Sequence, residues 1–112
     1  MRANRRIPTL GVPHEKKGVV DLYDVSDDWL PIYDRTDLDG FYLAIGSSGN
    51  QYKNAGAVGH LMAELIEAVE SGHDHDTTPV VVTGRYTGWE MDVGFYSRNR
   101  EVNPDSSMSV HG

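Results

Sequence analysis

The longest regular pattern of apolar positions in this chain runs from Asn54 to Glu70. Ala55, Val58, Leu61, Met62, Leu65, Ile66 and Val69 recur at steps of three and four, the spacing of one face of an α-helix. Asn54 stands where an N-cap belongs and Gly72 where a helix stops. Gly56 and Gly59 each weaken such a helix by about 1 kcal/mol relative to alanine, a cost that close approach to a sheet or ligand would offset. Ahead of the helix, Phe41-Tyr42-Leu43-Ala44-Ile45 is an apolar run of strand length, cut from it by Gly46-Ser47-Ser48-Gly49. Residues 18–25, Gly-Val-Val-Asp-Leu-Tyr-Asp-Val, alternate as a strand, and Pro79–Thr83 reads as another. Pro31-Ile32-Tyr33 is a short extended piece, since proline biases Leu30 away from helix, and 34–40 is a polar turn. Residues 84–97 mix glycine and aromatics with no regular period, and 98–112 are polar and read as irregular. The strand–turn–helix order predicts an α/β chain.

Composition narrows this to part of a domain. At 112 residues, with 38% hydrophobic residues and 12 glycines, the chain has limited means to bury a core and a high entropy cost of ordering. Three regions follow: a basic, irregular opening segment at 1–17, a central unit at 18–72, and an extension at 73–112 with one strand and an irregular tail. The net charge of −7 argues against nucleic acid, because phosphate neutralisation needs clustered lysine and arginine. Arg2, Arg5, Arg6, Lys16 and Lys17 do cluster, but without the apolar run of a signal peptide or anchor. No stretch has the length of a membrane span, and no membrane partner is expected. With no cysteine, disulfides, thiolate chemistry and cysteinyl metal sites are excluded. A cytoplasmic protein is expected.

The chemistry concentrates at residues 46–53. Glycines 46 and 49 allow a sharp turn or a close backbone approach, and the following helix start turns its positive dipole end toward whatever lies there. Such a turn suits an anion or the electron-rich edge of a cofactor. Lys53 is the sole cation between Arg35 and Arg85; on residues alone it reads as a solvated loop lysine. Seven aspartates between 21 and 39 (Asp21, Asp24, Asp27, Asp28, Asp34, Asp37, Asp39) match no EF-hand spacing. They read as a solvated acidic region in which Asp28 and Pro31 shape a turn. His73-Asp74-His75-Asp76 alternates potential metal ligands, but it falls in a linker with no further ligands and reads as a polar connection. No metal site is expected.

Asp39–Ala55, continuing to Val58-Gly59 and Leu65-Ile66, resembles the C-terminal flavin-contacting segment of FAD-dependent amine and amino-acid oxidoreductases, the family of D-amino-acid oxidase, glycine oxidase and monomeric sarcosine oxidase. Upstream, Leu22-Tyr23-Asp24-Val25-Ser26-Asp27-Asp28-Trp29-Leu30-Pro31-Ile32 is similar to that family's preceding motif, an aromatic followed by Thr/Ser-x-Asp-x-x-Pro. The pair covers residues 19–70 in the family's order. The resemblance implies that Gly46, Ser48, Gly49, Asn50, Gln51, Tyr52 and Lys53 border the flavin. It also implies that Lys53 holds the substrate carboxylate or balances flavin charge, and that Tyr23 stands on the substrate side; strand packing is an equal reading of Tyr23. His often replaces Asn50 and Gly replaces Gln51 in the family. The flavin-tethering cysteine of sarcosine-oxidase members is Asp21 here, so FAD would be non-covalent.

The resemblance further implies that Phe41–Ile45 is the last strand of a parallel, doubly wound FAD-domain sheet and that 18–25 adjoins it as a strand of the substrate domain. The Gly-x-Gly-x-x-Gly fingerprint of dinucleotide binding does not occur. The chain is therefore expected to be the C-terminal portion of an enzyme acting on a small amine or amino acid, inactive alone. Alternatives are a non-catalytic α/β module completing a second chain's flavin domain, and a carboxylate- or phosphate-binding domain using only the 46–53 turn.

Overall fold

The computed structural model describes residues 5–10, 15 and 17–106; most of the basic opening segment and the last six positions lie outside them. Within residues 17–106, two short antiparallel hairpins flank one α-helix. Strand β1, Ile32–Arg35, pairs with β2, Tyr42–Ile45, in the register Ile32↔Ile45 to Arg35↔Tyr42. Helix α1 spans Ala55–Glu70. Strand β3, Val81–Thr83, then pairs with β4, Glu90–Asp92, in the register Val81↔Asp92 to Thr83↔Glu90. Single 3₁₀ turns lie at Tyr52–Asn54, directly before α1, and at Val93–Tyr96, directly after β4.

The helix forms as its apolar spacing predicts. Leu61 and Leu65 are buried, and Val58, Met62 and Val69 pack beside them. The other buried apolar side chains among the described residues are Tyr33 from β1, Val82 from β3, and Val93. The core is thus a small seam where the helix stripe meets one residue from each hairpin. Tyr96 closes it, its ring 5.1 Å from that of Tyr33. At the helix end Gly72 has φ +92°. Its amide donates to Val69 O at 2.9 Å while the His73 amide donates to Ala68 O at 3.0 Å. This is the paired bonding of a Schellman stop, and it needs a residue tolerant of positive φ. Asn54 is the N-cap by position, but its side chain donates to Gln51 Oε1 at 2.8 Å and caps nothing.

Several expectations are corrected. The chain is mixed helix and strand, yet both ladders are antiparallel; β2 pairs with β1 in a hairpin and not as part of a parallel sheet. Asp34 and Arg35, assigned to a polar turn, belong to β1. The turn itself is narrower, with the Thr36 amide donating to Phe41 O at 3.0 Å and the Phe41 amide to Leu38 O at 3.1 Å.

Residues 18–25 form no strand, and Val19, Val20 and Leu22 are 92–99% exposed. Alternation only makes a segment fit for a sheet; a strand also needs a partner edge brought alongside it, and residues 18–25 pair with no described strand. Gly56 and Gly59 also depart from expectation. A Cβ on either would meet nothing within 4 Å, so no sheet packs closely against them. Strand β4 was unforeseen because three residues carry too little periodicity to read.

Candidate functional site

The glycine turn between β2 and α1 is built from left-handed backbone. Gly46 has φ +69°, Ser48 +50° and Gly49 +75°, conformations costly for side chains with a Cβ. Ser48 tolerates this while fully buried, its hydroxyl donating to Gly46 O at 3.2 Å. A Cβ on Gly49 would lie 2.8 Å from ring carbons of Tyr23. Gly49 is therefore required twice, by its φ and by the aromatic ring lying against it.

The next residue, Asp24, occupies the inner side of the same turn. Its carboxylate accepts from the Ser47 amide at 3.0 Å and the Ser47 hydroxyl at 2.6 Å, and its backbone oxygen accepts from the Ser48 amide at 3.0 Å. The Ser47 hydroxyl and amide hold the Asp24 carboxyl below its ordinary value, as hydrogen bonds to the charged form do. The turn is thus an anion cradle, and part of it already holds an anion from the chain itself.

What remains open is the outer side. The Asn50 amide donates to Ser47 O at 3.1 Å, while the amides of Gly49 and Gln51 have no acceptor among the described residues. Gln51, Asn50 and Asn54 bond one another through their side chains, with Gln51 Nε2 donating to Asn50 Oδ1 at 2.8 Å. Tyr33 OH reaches Gln51 Oε1 at 3.4 Å, linking the turn to the core. Tyr52 is almost fully exposed, and Lys53 beside it is exposed with no carboxylate in ion-pairing range among the described residues. The structure therefore gathers Tyr23, Gly46, Ser48, Gly49, Asn50 and Gln51 around one turn and leaves Tyr52 and Lys53 free on its helical side.

Sequence reading missed the buried charges. Asp28, buried beneath the loop before β1, accepts from Ser26 Oγ at 3.2 Å and the Leu30 amide at 3.1 Å. It also accepts from Arg100 Nε at 3.0 Å and Arg100 Nη2 at 2.7 Å. The two-pronged Arg100 contact, foremost, holds the Asp28 carboxyl far below its ordinary range.

Asp34, fully buried in β1, accepts from the Arg35 amide at 2.7 Å, the Arg98 amide at 2.7 Å and Ser97 Oγ at 3.0 Å. Arg98 completes the knot by pairing with Asp34 at 3.2 Å, Asp37 at 2.8 Å and Asp76 at 2.8 Å. Its hydrogen bonds to Asp76 raise the Arg98 guanidinium above its ordinary value. The acidic stretch, read as solvated, and the tail, read as polar and irregular, meet through Asp28, Asp34 and Asp37 on Arg98 and Arg100. The only advance sign was the coincidence of excess aspartate before residue 40 with Arg98 and Arg100 in an otherwise polar tail.

His75 is likewise not a loose linker residue. It is buried and accepts the Val80 amide on Nδ1 at 3.0 Å, so its proton sits on Nε2, which faces Asp34 Oδ1 at 3.6 Å without a hydrogen bond. Burial drives its pKa below 6.5, against the pull of Asp34. Sealed from solvent, this dyad joins the 73–80 connection to β1. His73 instead bonds the Thr78 carbonyl at 2.7 Å, and Asp74 accepts from Thr77 Oγ1 at 2.9 Å. Among the described residues no group of three or more acidic or histidine side chains converges to hold a metal ion, and no helix is long and apolar enough to cross a membrane. Comparison of the chain with protein-family models, with curated proteins and with solved structures finds no match.

Proposed function

We propose that this chain is the C-terminal part of an FAD-dependent oxidoreductase of amines or amino acids, with its Gly46–Lys53 turn at the pyrimidine edge of the flavin. The reading rests on one observation. Tyr23 and Asp24 of the upstream motif lie directly on Gly49, Ser47 and Ser48 of the downstream motif, so the two stretches that resemble the family form one surface. The residues fit such a ring edge on their open side: the unpaired Gly49 and Gln51 amides and the free Lys53 ammonium supply donors and positive charge. Flavin, when bound, supplies the acceptor for a hydride from the carbon beside the substrate amine. The chain's own contribution is electrostatic. Amides fixed by the left-handed turn stabilise negative charge at the ring edge without reorganising, and Lys53 either shares that task or anchors a substrate carboxylate.

Without Gly-x-Gly-x-x-Gly the chain has no seat for the pyrophosphate, so neither tight FAD binding nor amine oxidation is expected of it alone. The test uses lumiflavin, the ring without its ribityl and nucleotide parts, added to isotopically labelled protein. Amide shifts confined to Gly49, Gln51 and their neighbours are the expected result, and Lys53→Gln should weaken them. Lumiflavin that leaves those amides unmoved refutes the flavin reading. Stoichiometric FAD binding or amine turnover by the isolated chain refutes the fragment reading instead.

One observation favours the alternative of a non-catalytic module completing a partner's flavin domain. Val19, Val20 and Leu22 stand exposed on an unpaired segment of strand composition, and a second chain carrying the dinucleotide-binding half would cover them.

A further inference from the structure

A groove of about 630 Å³ runs between the first half of α1 and the β3–β4 hairpin, within the range of roughly 300–1,000 Å³ typical of small-molecule sites. It lies away from the glycine turn and plays no part in the flavin reading. Its floor is Gly56, Ala57 and Ala63 of the helix, and its far wall carries Arg85, Tyr86 and Trp89 of the hairpin loop. The floor is flat because those positions bear at most a methyl group; a Cβ added at Gly56 would meet only open space. The wall is held in shape from behind. The Gly84 amide donates to Trp89 O at 2.7 Å, the Gly88 amide to Gly84 O at 2.9 Å and the Trp89 amide to Thr87 Oγ1 at 3.3 Å. Yet Tyr86 and Trp89 are 96% and 77% exposed, two large aromatic faces beside a flat apolar floor with nothing between them.

The charge of the groove selects among flat ligands. Arg85 has no carboxylate in ion-pairing range among the described residues, whereas Arg98 and Arg100 are fully engaged. The helix contributes the positive end of its dipole, and its first turn holds no acidic residue. His60, the remaining polar floor residue, is turned aside, with Nε2 3.4 Å from Thr83 O and Nδ1 3.7 Å from Glu64. In a chain of net charge −7, Arg85 is thus a cation with no described carboxylate partner, next to uncovered aromatic surface.

We infer that the groove between α1 and the β3–β4 loop binds a small planar aromatic anion, its ring between the Gly56–Ala57–Ala63 floor and the Trp89 and Tyr86 rings and its acidic group on Arg85. The ring buries apolar area and stacks, and the guanidinium gives the carboxylate a charge-assisted, two-pronged partner.

The experiment titrates the labelled 112-residue chain with 2-naphthoate and with its neutral counterpart 2-naphthalenemethanol, following the Trp89 indole N–H, the Tyr86 amide and the Gly56 and Ala57 amides by NMR. Naphthoate should shift these signals saturably and the alcohol should bind about tenfold more weakly, as loss of one charge-assisted contact predicts. Arg85→Gln should reduce naphthoate affinity to that of the alcohol, and Trp89→Ala should weaken both ligands. Both side chains are surface residues, and an unchanged far-ultraviolet circular dichroism spectrum verifies the fold of each variant. Equal affinity for the two ligands, indifference to Arg85→Gln, or no saturable shift up to the probe's solubility overturns the inference. Lumiflavin shifts at Gly49 and Gln51 should persist in Arg85→Gln, which separates the fate of this groove from that of the flavin reading.

Discussion

Replacing Arg100 with methionine should undo more of this protein than any loss of surface charge can. Arg100 donates twice to buried Asp28 and also to the carbonyls of Leu30 and Ser97, each at 3.0 Å. It thereby ties the tail to the loop preceding β1. Methionine keeps the length and apolar stem but withdraws every donor, leaving an ionised carboxylate buried with only Ser26 Oγ and the Leu30 amide. Breaking a buried pair from one side costs about 3–5 kcal/mol; the two surviving donors place this case near 3. Small domains have total stabilities of about 5–15 kcal/mol, and the seam of five buried apolar side chains argues for the low end. With a urea dependence of roughly 1–3 kcal/mol per molar, the midpoint should fall by about 1–3 M.

Urea unfolding followed by circular dichroism measures this directly. The double variant Asp28→Asn, Arg100→Met should recover part of the loss, because the uncompensated charge has gone. A loss below about 1 kcal/mol, the level of an exposed pair, would refute the reasoning, as would a double variant no more stable than the single.

Other substitutions probe other joints. Gly59→Ala should stabilise the protein by about 1 kcal/mol, since its Cβ enters open space; thermal melts check it, and a loss would mean that something packs on that face. Gly49→Ala should destabilise by roughly 1–2 kcal/mol from its left-handed backbone alone, with a further loss from the clash with Tyr23 that Tyr23→Ala relieves. Stability should also fall with acid earlier than the carboxylates alone dictate. The unfolded chain protonates His75 near 6.5 while burial keeps the folded imidazole neutral, so its contribution is complete above 6.5 and erodes as pH drops through and below that value. In His75→Gln, denaturation measured across pH should show the decline starting only as the carboxylates titrate. Finally, the Tyr42 phenol, desolvated and donating to Glu70 at 2.7 Å, is pushed up to about 12; Glu70→Gln should lower the corresponding step in an ultraviolet absorbance titration.

Local patterns were legible and distant partnerships were not. The Leu61–Leu65 stripe, the strand ending at Ile45, the strand at Val81–Thr83 and the stop at Gly72 each depend on neighbours a few positions away, so period and glycine placement announce them. The Gly46–Gly49 turn was legible for the same reason, though the positive φ of Ser48 within it was not. Val19–Val25 misled because alternation describes a strand's faces and says nothing of the edge it needs. Asp28 with Arg100, and Asp34 with Arg98, join positions more than sixty residues apart. No spacing rule encodes such a pairing; it exists only once the fold has brought the tail beneath β1. His75 illustrates the same point, since burial by residues far along the chain turned a polar-looking run into a sealed anchor.

The clasp of the Asp24 carboxylate on the Ser47 amide and hydroxyl gives the glycine turn a resident anion that any free one would have to displace. A tethered group acts at an effective concentration of millimolar order or above, so a free carboxylate or phosphate offering only the same two hydrogen bonds would have to exceed that level to displace it. Selectivity is thereby set by subtraction. A simple anion would have to compete with a side chain that cannot diffuse off. Under the proposed flavin role, the ligand admitted would be one that leaves Asp24 in place and engages the outer amides of Gly49 and Gln51 together with Lys53.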